Sequence, residues 1–114
     1  RSGASIAAAW MVYNYLGFSG YKKGVSKVMN LTKWFVDQIE SIPELDIIVK
    51  PELNIVGICS SGDVDIKSIL SDIREKGWAV SEWSNYIRIV IMPHVTKGSL
   101  KKFLKDLKMI VKNN

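Results

Sequence analysis

The chain has 114 residues, enough for one domain that buries roughly 65% of the surface its unfolded form exposes. Its composition, 47% hydrophobic and 24% charged with four Trp and three Pro, excludes a disordered tail, and no low-complexity segment or internal repeat appears. The net charge of +5 favours acidic partners only weakly, and a single cysteine, Cys59, excludes an intramolecular disulfide or a cysteine cluster for metal.

Residues 2–21 carry no charge. Asn14, the flanking glycines and serines and a run of weakly hydrophobic alanines argue against a membrane span, and no basic start with an apolar centre marks a secretory signal. The spacing predicts instead a helix over residues 4–16, apolar on every side and closed by Gly17. Such a helix needs cover on every side, more than so small a domain supplies. The chain is therefore expected to be a piece of something larger, whose other part covers this helix.

Ser19 is placed to cap a second helix, with Tyr21, Val25, Val28, Thr32, Phe35, Ile39 and Ile42 at three- or four-residue spacing, ending before Pro43. Two β-rich runs follow, LDIIVK and LNIVGIC, with Pro51 and Glu52 between them. Cys59, inside the second run, reads as a small core residue in a reducing compartment. Asp63 or Asp65 can cap a helix carrying Ile66, Ile69, Leu70 and Ile73 on one face, and Lys76 and Gly77 end it.

WAVSEW and YIRIVIM then read as a strand pair around Ser84 and Asn85, and Pro93 stops the second strand. Thr96 caps a last helix whose apolar stripe, Leu100, Phe103, Leu104, Leu107, Ile110 and Val111, has a solvated lysine-rich back. No aromatic or Gly-rich loop interleaves with those lysines, which argues against nucleic acid as a partner. The predicted fold class is α+β: a mainly antiparallel sheet with the late helices on one face and the other face free, preceded by a helix that belongs elsewhere.

One charge interrupts this pattern. In YIRIVIM, Ile87, Ile89 and Ile91 point to one side of the strand and Tyr86, Arg88, Val90 and Met92 to the other. The isoleucines suit the helix layer, so Arg88 sits on the free face, where an unpaired covered guanidinium costs several kcal/mol. Two readings stand: an edge-exposed arginine or one paired with Glu82 across the hairpin, and an anchor whose planar fork grips a carboxylate. His94, the only histidine, directly follows the strand and has no second histidine or cysteine beside it, so no metal site is expected. Asp63, Asp65, Asp72 and Glu75 suit helix caps and a solvated face, and no phosphate loop is present.

Two stretches together carry a resemblance. RSGASIAAAWMVYNYLGFSGYKK resembles the segment of group II pyridoxal-phosphate-dependent amino-acid decarboxylases that opens with a Thr/Ser-Arg-Ser/Pro-Gly pattern, of which Arg1, Ser2 and Gly3 are present, and runs through a small-residue helix to Leu-Gly-x-x-Gly-Tyr. PELNIVGI and YIRIVIMPHVT resemble later strands of the same enzymes, nearest the archaeal tyrosine/aspartate decarboxylase branch, with glutamate decarboxylase and sphingosine-1-phosphate lyase more distant. The resemblance implies the aminotransferase type I fold of pyridoxal-phosphate enzymes. Residues 1–19 would be the last helix of the large cofactor domain with its connector, and residues 20–114 the small C-terminal domain.

It further implies a cytoplasmic homodimer that releases carbon dioxide from an amino acid, L-tyrosine, L-aspartate or L-glutamate. The cofactor, pyridoxal 5'-phosphate, and its Schiff-base lysine would belong to the upstream large domain, so that this chain holds no catalytic residue and is inactive alone. Arg88 would bind a substrate carboxylate. Arg1, Ser2 and Gly3 match the stretch that approaches the cofactor phosphate of the neighbouring subunit, and His94 matches a Pro-His ending near the active site. The rival readings are a carbon–carbon lyase like sphingosine-1-phosphate lyase and, from another class, a small basic RNA- or protein-binding module. The absence of paired aromatics with basic neighbours in the strands opposes the last.

Overall fold

The computed structural model describes residues 2–114. Its elements run α1 (Gly3–Glu40), β1 (Leu45–Ile47), β2 (Ile55–Ser60), α2 (Ile66–Glu75), β3 (Ser81–Trp83), β4 (Tyr86–Val90) and α3 (Lys97–Asn113). The two predicted early helices are both present and meet at Gly17, as expected, within the one span α1. Gly17 takes φ 58° and ψ −172°, a conformation that costs other residues strain, and the helix resumes directly after it rather than through a loop.

The four strands form one sheet in the order β1-β2-β4-β3, every pairing antiparallel. Inward-facing Val56, Ile58, Ile87 and Ile91 meet Phe35 and Ile39 of α1, Ile69 and Ile73 of α2 and Phe103 and Leu107 of α3, all buried. Helices therefore cover one face of the sheet, and the other is open. Local signals place the helix ends as expected: Asp65 caps α2, and Lys76 with Gly77, at φ 90°, ends it. Thr96 and Ser99 form a capping box at α3.

Three details differ from the sequence reading. The apolar stripe of α1 is buried only from Val28 onward, while Tyr21 and Val25 are exposed. Strand β3 has three residues because Trp78 leaves the sheet to pack edge-on against Phe103, ring centroids 5.4 Å apart, and to donate its indole N–H to Asp106 at 2.8 Å. Cys59 is not a core residue: it is partly exposed on the open face, across from Asp46.

The first half of α1 stands clear of the domain. The radius of gyration is 17.0 Å, against about 13 Å for a compact chain of this length, and the long axis of 51 Å far exceeds the others at 29 and 24 Å. Trp10, Tyr15 and Phe18 are 67, 90 and 84% exposed. So much exposed apolar side chain on one helix is the mark of a surface made to be covered. None of the described helices is long and apolar enough to cross a membrane.

Candidate functional site

Arg88 lies on β4, which is hydrogen-bonded on both sides, so it is interior to the sheet and not at its edge. Its partners in register are Gly57 on β2 and Ser81 on β3. Both are small, and the guanidinium therefore has room on the open face. A side chain at Gly57 would meet Tyr86, whose ring Cδ2 lies 3.3 Å from the position a Cβ would take. Tyr86 thus leans across β2, and a hollow of about 440 Å³ opens beside it, bordered by Ile48, Lys50, Glu52, Leu53, Tyr86 and Arg88.

The expected pair with Glu82 is not made. Glu82 stands opposite Ile87, on the other face of the sheet, and its carboxylate meets Arg74 at 3.7 Å. The two-residue turn at Ser84 and Asn85 contained that answer: it sets Trp83 opposite Tyr86, hence Glu82 opposite Ile87. Arg88 instead lies over the Trp83 ring, its Cζ 5.2 Å from the ring centroid. Its Nε is buried and has no hydrogen-bond partner. A cation held against an indole, with no ion-pair partner among the described residues, can take an anion on the open face through the terminal N–H groups of its guanidinium.

The other candidates lie apart from this hollow. Ser2 caps α1 by accepting the Ala4 backbone N–H at 3.2 Å, and its own carbonyl accepts the Ser5 hydroxyl at 3.0 Å. Ser2 and Gly3 begin the exposed half of α1, and Arg1 lies outside the described residues. His94 is exposed in the turn after β4 and does not border the hollow. The Cys59 thiol donates to the Asp46 carbonyl at 3.6 Å, and burial, with the Asp46 charge adding to it, pushes its pKa up. A thiol so placed stays neutral and is a poor nucleophile. No group of three or more His, Cys, Asp or Glu that could hold a metal ion occurs among the described residues.

Sequence reasoning missed Trp83. The two-residue turn that misplaces Glu82 also sets Trp83 on the face of Arg88, one diagonal step away across the hairpin.

No protein-family model matches the chain. It is 41% identical over 112 residues, 98% of its length, to the L-aspartate decarboxylase of Thermococcus kodakarensis, and 40% identical over its whole length to a probable L-tyrosine/L-aspartate decarboxylase of Methanosphaera stadtmanae. It spans 28 and 30% of those relatives, matching their C-terminal part. Among solved structures, the sphingosine-1-phosphate lyase of Burkholderia pseudomallei superposes with a TM-score of 0.88 at 25% identity, over 98% of this chain and 26% of the lyase. In sequence and in fold, the chain matches the C-terminal part of the group II pyridoxal-phosphate-dependent decarboxylases.

Proposed function

We propose that the chain is the small-domain part of a pyridoxal-phosphate-dependent L-amino-acid decarboxylase, with residues 1–19 belonging to the large cofactor domain and residues 20–114 forming the small domain. L-Aspartate leads as substrate because that name stands on both quoted decarboxylases, with L-glutamate and L-tyrosine as the other members of the set. The enzyme works as a cytoplasmic homodimer whose large domain covers the apolar first helix and the open sheet face. The observation that carries this reading is Arg88, a guanidinium in mid-sheet that has no ion-pair partner among the described residues.

Pyridoxal phosphate, when bound, supplies a sink for the electrons of the bond to the departing carboxylate. Arg88 fixes the amino acid by a two-point grip on a carboxylate, which removes the rotational freedom that would otherwise have to be lost at the barrier. A grip on the leaving carboxylate would stabilise the ground state more than the transition state and slow the step. With L-aspartate or L-glutamate, Arg88 holds instead the carboxylate that remains in the product and so selects acidic substrates; with L-tyrosine the leaving carboxylate is the one it can meet. In this reading Arg1, Ser2 and Gly3 contribute to the site of the cofactor phosphate in the neighbouring subunit, where the free backbone N–H groups of a helix start suit an anion.

A second reading, a carbon–carbon lyase, is favoured by the superposition on sphingosine-1-phosphate lyase, but the identity to the decarboxylases is much higher. The test is carbon dioxide release by the full-length protein with pyridoxal phosphate and each of L-aspartate, L-glutamate and L-tyrosine. Release from at least one of them is expected, and none from the chain Arg1–Asn114 alone. No release from any of the three by the full-length protein would refute the proposal.

A further inference from the structure

We infer that Trp83 is a positioning residue for Arg88, holding the guanidinium in the place from which it grips the substrate carboxylate. This rests on the anchor reading of Arg88. Trp83 ends a three-residue edge strand, is 56% exposed and takes no part in the core. Its burial in this chain contributes little to the fold, and the contact it does make is with Arg88. The hairpin register pairs it with Tyr86, and its ring reaches diagonally to Arg88, 5.2 Å from ring centroid to Cζ.

A long arginine side chain on an open sheet face otherwise samples many rotamers, and each must be given up when a carboxylate binds. A guanidinium held over an indole is confined to one side of the ring, which leaves its terminal N–H groups for that carboxylate. The bounds of the side chain's travel are also set: Gly57 and Ser81 flank Arg88 without crowding it, and Tyr86 closes the side towards β2. Trp83 thus pre-orients the anchor before the substrate arrives, a gain in substrate binding rather than in the chemical step.

The experiment is a double-mutant cycle in the full-length enzyme, with KM and kcat measured on its best substrate. Trp83→Leu is expected to raise KM about two- to fivefold with kcat little changed, the size of one cation–π contact. Trp83→Phe, which keeps an aromatic face, is expected to recover most of that loss. In an Arg88→Ala background, Trp83→Leu should have no further effect. If Trp83→Leu lowers the yield of folded enzyme, Trp83→Thr, suited to an edge strand, replaces it. A normal KM in Trp83→Leu beside a defective Arg88→Ala overturns the inference and leaves the anchor reading standing, as does an equal loss in both backgrounds. Wild-type kinetics in Arg88→Ala removes the anchor reading, and the role of Trp83 with it.

Discussion

Glu82 and Arg88 lie on adjacent strands of one hairpin yet on opposite faces of the sheet, Glu82 across from Ile87 and paired with Arg74 at 3.7 Å. The acid that could have neutralised Arg88 is turned towards the helix side. Arg74 and Glu82 are about half exposed, so their ion pair is screened and contributes little. Glu82→Gln is accordingly expected to change stability by less than about 1 kcal/mol and to leave the kinetics of the full-length enzyme unaltered. A changed KM would mean that Glu82 reaches Arg88 after all.

The two faces of β4 should respond unequally to substitution. Ile87 is buried among the helices, and Ile87→Ala is expected to cost about 2–5 kcal/mol through lost burial and the cavity left behind. Val90 is exposed on the open face, and Val90→Ser in the chain Arg1–Asn114 should stay within about 0.5 kcal/mol. Urea midpoints measure both, and similar losses would contradict the assignment of faces.

Gly17 turns α1 with a backbone conformation that other residues adopt only at about 1–3 kcal/mol of strain. Within this chain nothing lies within 4 Å of where a Cβ would stand, so the strain of Gly17→Ala comes from the backbone. In the full-length enzyme, where the helix is held in place, Gly17→Ala should lower the thermal midpoint by several degrees. An unchanged midpoint would show that the direction of the first helix is not fixed by this residue.

Much of this architecture could be read from local signals, because they act over a few residues. Asp65, Gly77 and Thr96 mark helix ends through hydrogen bonds and backbone angles that need no tertiary partner. The alternation of YIRIVIM put Arg88 on the free face for the same reason. What stayed hidden depends on distant partners. Trp78 continues the strand pattern but is drawn out of the sheet by Asp106 and Phe103, 28 and 25 positions along. Cys59 sits in an apolar run, yet the pairing of β1 with β2 turns it outward, across from Asp46. The Trp83 contact needed the register of the hairpin in addition to its period.

The central claim is that Arg88 anchors the substrate, and the most direct measurement is kcat/KM of the full-length enzyme with Arg88→Ala. A fall of more than tenfold is expected, about 1.4 kcal/mol or more of lost transition-state stabilisation. Arg88→Lys should restore little of it, since an ammonium cannot supply the planar fork. Unchanged kcat/KM in Arg88→Ala would contradict the claim and leave Arg88 a structural residue of the open sheet face.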